Sequence, residues 1–162
     1  MVETNFPVKK MKEKFPASVL EVETFREEVT VTVPRGAIFE ICKFLYFDDG
    51  LQYRFLTDLC GVDFFPRSPR FQVVYLLYSM KNNQRLRLKT KVGEGESVLS
   101  VESIWKAANW LEREVFDLFG ISFESHPDLR RILLWDGYEG HPLRKDFPVE
   151  GPDFDKPFVP EV

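Results

Sequence analysis

FQVVYLLYSM at 71–80, followed by RLRLKTKV at 85–92, decides the fold of this chain. The first run is apolar on both faces, which is typical of a strand in the interior of a sheet. The second run alternates leucines with basic residues and therefore predicts a strand with one solvated face. Between them, KNNQ at 81–84 has the composition of a turn. A β-sheet is therefore expected to form the centre of the domain.

The residues on the N-terminal side of these strands add further strands and two helices. EVTVTV at 28–33 alternates strictly, and SVLEVE at 18–23 is a weaker strand pattern before it. A third β-rich run covers 53–65. Apolar residues at helical spacing predict a helix over 35–47, and PVKKMKEKF at 7–15 predicts a short polar helix.

The C-terminal half of the chain contains one strong helix pattern. Apolar residues at i, i+4 and i+7 predict an amphipathic helix over 104–119. Ser103 is the expected N-cap, and Gly120 is placed where a glycine often ends a helix. VLSVES at 98–103 predicts a short strand before the helix. After Gly120, a proline or glycine every few residues as far as 148 leaves little room for long regular elements.

Composition places this chain among globular proteins with one domain. It has 162 residues, of which 44% are hydrophobic and 15% aromatic, which argues for a packed core and against disorder. We assign residues 1–148 to an α+β domain and 149–162, with three prolines, to an extended C-terminal tail. A net charge of −4 gives no basic footprint for nucleic acid. No apolar run approaches the roughly 18 residues of a membrane span, and the N-terminal residues lack the apolar core of a signal peptide.

Cysteine and histidine, the usual metal-ligating residues, are few and scattered. Two cysteines, Cys42 and Cys60, are too few for a disulfide framework and favour a reducing compartment. His126 and His141 lack the close spacing of a zinc site, and an iron–sulfur cluster would need more cysteines. GEGES at 93–97 lacks the lysine of a phosphate-binding loop. The residues therefore predict no cofactor site.

Charged residues are densest on the C-terminal helix, at Glu112, Arg113, Glu114 and Asp117. Paired carboxylates can perform acid–base or metal chemistry. However, Arg113 and Asp117 stand four residues apart, which favours an ion pair on a solvated helix face.

Glu112 differs from the other acids because it shares its helix face with apolar residues, which predicts partial burial. A half-buried carboxylate is expected to pair with an arginine, and Arg130, Arg131 and Arg144 are the candidates.

Residues 112–133, EREVFDLFGISFESHPDLRRIL, closely resemble the signature of the 30-kDa subunit, also called the C subunit, of respiratory complex I (NADH:quinone oxidoreductase). EGHPLRKDFP at 139–148 is similar to the second hallmark of this family. The resemblance is sharp over 103–148 and looser over 18–102.

Membership of this family would imply a two-layer α+β domain with a mixed sheet packed by helices. Its members are structural subunits of the hydrophilic arm, beside the 49-kDa (D) subunit and near subunits B and I. FMN, iron–sulfur clusters and quinone belong to other subunits. The resemblance therefore predicts no catalytic, cofactor-binding or metal-binding residue, and it predicts partner contacts at the motif residues Glu112, Arg113, Glu114, Asp117, Leu118, Phe119, Gly120, His126, Pro127, Leu129, Arg130, Arg131, Gly140, His141, Pro142, Leu143, Arg144, Lys145 and Asp146.

The same resemblance implies a peripheral protein on the cytoplasmic face of a bacterial inner membrane, attached only through its complex. An equivalent subunit of a membrane-bound hydrogenase-type complex is the alternative within this architecture. From another class, a free-standing hydrolase would use Glu112, Asp117 and His126.

Overall fold

The computed structural model describes residues 6–150, and its centre is a five-stranded sheet. The strands are β1 (Glu21–Phe25), β2 (Glu28–Thr32), β3 (Phe55–Asp63), β4 (Phe71–Ser79) and β5 (Gln84–Val92). Their spatial order is β1-β2-β5-β4-β3. The β2–β5 pair is parallel and the other pairs are antiparallel, so the sheet is mixed as expected.

Three helices pack with this sheet around a shared hydrophobic core. They are α1 (Phe6–Lys14), α2 (Ile38–Phe47) and α3 (Ala108–Phe119). The apolar side chains that gave α2 its helical pattern are all buried against the sheet. Burial of this surface is the main stabilising contribution to such a domain. The predicted two-layer α+β architecture is confirmed.

A second, parallel sheet has two strands, one before and one after α3 in the sequence. Its strands are β6 (Ser97–Leu99) and β7 (Ser122–Glu124). β6 is shorter than the 98–103 pattern indicated, and β7 was not predicted. A three-residue strand is too short to show a recognisable sequence pattern. β7 forms because the chain after α3 returns beside β6 and pairs with it.

Helix α3 begins later than its apolar pattern predicted, and Ser103 is not its N-cap. The amides of Ile104 and Trp105 both bond the carbonyl of Val101, so this stretch is a turn, and the helix begins at Ala108. The turn is held by the indole of Trp105, which is buried and donates to the carbonyl of Tyr53. Gly120 ends the helix with φ +73°, as predicted.

The described part of the chain beyond β7, residues 125–150, contains turns and bends but neither helix nor strand. This agrees with the proline- and glycine-rich sequence. Of the predicted tail at 149–162, residues 151–162 lie outside the described residues. Among residues 6–150, no helix is long and apolar enough to cross a membrane.

Candidate functional site

Asp117, on the last turns of α3, is an anchor for the irregular segment 131–134. Its side chain is completely buried. One carboxylate oxygen accepts the amide N–H groups of Ile132, Leu133 and Leu134 at 3.0, 2.8 and 3.0 Å, and the other accepts from Arg131 at 2.7 Å. Burial by itself would raise the pKa of Asp117, but these donors outweigh it and lower the pKa. The carboxylate therefore stays charged and holds the chain to the helix.

Arg113, one turn before Asp117, binds the same segment through its carbonyls. Its Nε donates to the carbonyl of Arg130 at 3.0 Å and its Nη2 to that of Arg131 at 3.2 Å. The predicted solvated ion pair between Arg113 and Asp117 is therefore wrong. Both side chains are buried and reach sideways to the backbone beside the helix, because segment 130–134 covers this helix face.

Glu112 is completely buried and has no arginine partner, contrary to the expectation that Arg130, Arg131 or Arg144 would pair with it. Its Oε2 accepts from the Ser100 hydroxyl at 2.6 Å and its Oε1 from the Val101 amide at 2.7 Å. Burial raises its pKa to about 7, although these two hydrogen bonds oppose the shift. Glu112 thus ties the turn before α3 to the helix.

His126 anchors the loop after β7 in the same way. Its side chain is fully buried, with Nε2 4.0 Å from Oε2 of Glu112. The amide of Asp128 donates to Nδ1 at 3.0 Å, so Nδ1 is an acceptor, and Nε2 then donates to the carbonyl of Asn109 at 3.1 Å. These two bonds assign the neutral tautomer with its proton on Nε2.

The second hallmark segment, 139–148, caps the C-terminus of α3. Three carbonyls of the last helical turn, which lack helical partners, each receive a donor from this segment. His141 Nδ1 lies 2.8 Å from the Asp117 carbonyl, the Leu143 amide donates to the Leu118 carbonyl, and Arg144 Nε donates to the Phe119 carbonyl at 2.6 Å. The segment therefore completes the helix end.

Arg144 does not pair with Glu112, for which it was a candidate partner, and it does not pair with Asp117 either. Beyond its bond to the helix end, it lies 3.4 Å from Glu94 and over the ring of Phe71. At Gly120, a Cβ atom would stand 2.5 Å from Arg144 Nη2, so glycine is needed both for its positive φ and for this close approach.

An ion cluster around the buried Arg70, which the sequence patterns did not predict, attaches the C-terminal segment to the main sheet. Arg70 binds both carboxylate oxygens of Asp63, at 3.1 and 2.9 Å, and both of Asp146. It also lies 3.1 Å from Glu94, and the Lys145 amide donates to Asp63 at 2.9 Å. Burial opposes ionisation of Asp63, but the hydrogen bonds from Arg70 and two amides lower its pKa to about 2. Of the side chains in this cluster, only that of Asp146 lies in a motif, the second hallmark, and could have pointed to the cluster from the sequence.

Through their side chains, eight of the nineteen motif residues bind other parts of this chain. We call this set of internal contacts the clamp: Glu112, Arg113, Asp117, His126, Arg131, His141 and Arg144, with Arg70, Asp63 and Asp146 at the sheet. Glu114, Pro127, Arg130, Gly140, Leu143 and Lys145 are exposed, and Leu118, Phe119, Gly120, Leu129 and Pro142 are half-buried.

The remaining candidate ligands stay apart. Cys42 lies on the buried face of α2, and Cys60 is half-buried on β3; both are free thiols. Within residues 6–150, no group of three or more His, Cys, Asp or Glu residues is placed to hold a metal ion.

Comparison with known proteins gives one consistent family. Residues 31–153 match the family described as respiratory-chain NADH dehydrogenase, 30-kDa subunit. The C subunit of the NADH-quinone oxidoreductase of Geobacter sulfurreducens is 54% identical over 155 residues, and the alignment covers 94% of both chains. The corresponding chain of Geobacter metallireducens, with the same name, is 56% identical over 154 residues, again covering 94% of both chains.

Two solved structures share the fold. A trypsin-resistant fragment of Nqo5 is 32% identical with a TM-score of 0.64, and the match covers 76% of this chain and all of the fragment. A chain of the membrane-bound sulfane sulfur reductase, an archaeal respiratory membrane complex, has a TM-score of 0.77 with 23% identity, over 96% of this chain and 92% of that one. The second likeness concerns the fold alone.

Proposed function

The chain belongs to the 30-kDa subunit family of respiratory-chain NADH dehydrogenase, and on that premise we propose that it is the non-catalytic, structural 30-kDa (C) subunit in the hydrophilic arm of an NADH:quinone oxidoreductase. The observation that carries the proposal is the 54% identity, over 94% of both chains, with the C subunit from Geobacter sulfurreducens. In this proposal other subunits hold the FMN, the iron–sulfur clusters and the quinone, and this chain supplies no ligand to them.

The geometry of the clamp supports a structural role. The acids that chemistry would require, Glu112 and Asp117, are completely buried and already accept hydrogen bonds from the chain itself. Glu112 lies beside His126, but Asp117 binds a different segment, and the side chains of all three residues are buried rather than open to a cleft. A free-standing hydrolase built on these three residues therefore has no support.

We further propose that the 49-kDa (D) subunit is the principal partner, with subunits B and I nearby, and that no nucleic acid is bound. The complex would hold the chain at the cytoplasmic face of a bacterial inner membrane. Exposed large apolar residues beside the clamp, including Trp110, Leu133 and Trp135, are of the kind that anchor protein interfaces. Similarity to chains named as the C subunit of NADH-quinone oxidoreductase favours this complex over a hydrogenase-type one.

The test replaces the native gene in its host with a tagged gene, and compares the wild-type chain with Asp117→Asn. Removing the charge weakens the clamp, so we expect less assembled complex in the membranes. Turnover of NADH:quinone reduction per bound FMN should be unchanged, because this chain takes no part in the chemistry. FMN content gives the amount of complex, and NADH oxidation with a quinone gives the rate.

The matched control is Glu40→Gln, which neutralises an exposed acid on α2, outside the motif residues, and should leave both quantities unchanged. Normal assembly of Asp117→Asn with a reduced rate per FMN would contradict a non-catalytic role. Absence of any NADH-oxidising complex with the tagged wild-type chain would contradict the proposed function itself.

A further inference from the structure

The clamp leaves two large apolar side chains exposed on one side of α3, next to the buried Arg113. Trp110, Arg113 and Asp117 are spaced i, i+3 and i+7, so they share a helix face. Segment 130–134 covers that face, because its backbone bonds Arg113 and Asp117. Leu133 is carried on this segment and is 60% exposed, while Trp110 on the helix is 63% exposed. We call Trp110, Arg113, Arg130 and Leu133 the α3 strip.

Arg113 gives the α3 strip an uncompensated positive charge. The residue is only 7% exposed, and its guanidinium lies over the ring of Trp110 at 5.0 Å and bonds two carbonyls through Nε and Nη2. Among residues 6–150, no carboxylate oxygen lies within 4.0 Å of a guanidinium nitrogen of Arg113, which is the limit for an ion pair. Charges buried to this degree are usually paired.

The nearby acids do not pair with Arg113. Asp117 pairs with Arg131, and Asp128 pairs with Arg130 at 2.9 Å. Glu114 follows Arg113 directly, but it is exposed and lies more than 4.0 Å from the guanidinium. A carboxylate that pairs with Arg113 would therefore have to come from outside residues 6–150.

We propose that the α3 strip is a docking surface for a partner polypeptide segment that brings a carboxylate to Arg113 and apolar side chains onto Trp110 and Leu133. This inference rests on the proposed function, and the partner is then another subunit of the same complex. An arginine stacked on a tryptophan beside an exposed leucine has the composition of an interface anchor. The rest of the clamp positions this surface, where Arg113 makes the polar contact and the exposed Trp110 and Leu133 make the apolar contact.

The sign of the partner's charge is tested with Leu133→Glu and Leu133→Lys in the tagged full-length chain. Both substitutions remove the same exposed leucine with side chains of comparable length, so any difference between them reports charge. A carboxylate approaching Arg113 would be repelled by glutamate and attracted by lysine. We expect recovery of the membrane complex with Leu133→Glu to be at least about tenfold below that with Leu133→Lys.

The apolar contact is tested with Trp110→Ala, and Phe25→Ala on the β1–β2 turn is the matched control. Phe25 is 70% exposed and lies away from α3, so both changes remove one exposed aromatic ring. We expect Trp110→Ala to lower complex recovery by about tenfold and Phe25→Ala to leave it near the wild-type level. Thermal melts of each purified full-length chain, which should lie close to wild type, exclude unfolding as the cause.

Each outcome decides the inference. Equal recovery for Leu133→Glu and Leu133→Lys, or better recovery with glutamate, would overturn an acidic partner. Normal recovery of Trp110→Ala would overturn the α3 strip as the contact. The proposed function would still stand in that case, because the tagged wild-type chain would have assembled into the complex. Failure of the tagged wild-type chain to assemble would overturn both proposals together.

Discussion

The main sheet with α1 and α2 is held together differently from α3 and the chain around it. In the first region the contacts are apolar, between strand residues such as Val31 and Leu88 and helix residues such as Ile41, all completely buried. In the second region, carboxylates, arginines and histidines bind backbone groups of segments that have no regular structure of their own. A chain segment too irregular to satisfy its own backbone can thus be ordered by side chains of a neighbouring helix.

The difference predicts that the two regions respond to different changes. Apolar burial is nondirectional and is little affected by salt. Hydrogen bonds and ion pairs depend on single partners, on charge and on pH. The cost of a substitution in the first region should therefore depend little on salt and pH, and the cost of one in the second region should depend on both. The following predictions test this from the largest effect to the smallest.

Arg70→Met should have the largest effect, because it breaks the attachment of the second region to the sheet. It removes a buried cation from between Asp63 and Asp146 and leaves the Asp63 carboxylate buried without its main partner. Removing one member of a buried pair costs about 3–5 kcal/mol. Urea unfolding of the full chain measures the loss, and hydrogen exchange should show it first at residues 139–148.

The conservative variant Arg70→Lys serves as the control for charge alone, since lysine keeps the cation but not the two-pronged hydrogen bonds. Rapid exchange spread evenly over the sheet and segment 139–148 in Arg70→Met would contradict a separate, polar attachment.

Leu88→Ala should destabilise the first region by an amount of about 2–5 kcal/mol. Leu88 is completely buried on β5, between β2 and β4, and the shortened side chain leaves a cavity there. The cost should be nearly independent of salt and of pH, unlike that of Arg70→Met. Urea unfolding at low and high salt distinguishes the two, and a salt-dependent cost for Leu88→Ala would erase the contrast between the regions.

The pH dependence of unfolding should reveal Glu112 as a smaller effect within the second region. Burial raises the pKa of Glu112 from its ordinary 4.5 to about 7. The folded chain then keeps a proton that the unfolded chain releases over this range. Its contribution to stability is fully present below pH 4.5 and is lost as the pH rises to about 7.

Glu112→Gln should flatten this part of the profile, because glutamine does not ionise. Its side-chain oxygen can still accept the Val101 amide. Urea unfolding of both chains between roughly pH 5 and pH 8 measures the difference. The same pH profile for wild type and Glu112→Gln would show that Glu112 does not carry the dependence. Asp63 acts in the opposite direction, since its lowered pKa makes its contribution present above pH 3.8 and lost toward about pH 2.

Much of the first region follows from local sequence pattern. The helix of 35–47 and the strands at 28–33, 71–80 and 85–92 were predicted within a few residues of their observed bounds. Their patterns are readable because a helix or strand with one buried face repeats apolar residues at the period of its own geometry. Gly120 was readable for a similar reason, since a glycine after an apolar helix pattern ends the helix.

The second region shows what only the tertiary structure decided. Sequence identified Glu112, Arg113, Asp117, His126 and Arg144 as residues of interest, and their resemblance to a known signature indicated the family. It assigned the wrong partners to most of them.

The physical reason is that a long polar side chain binds whichever backbone group the folded chain brings within its reach. Asp117 finds its three amides because segment 132–134 returns along α3, and Arg70 meets Asp146 across 76 residues of sequence. The local spacing of apolar residues contains no information on such long-range contacts. The sequence by itself therefore determined the longer helices and strands of the main sheet and the family, and the return of the chain across α3 determined the contacts that the motif makes.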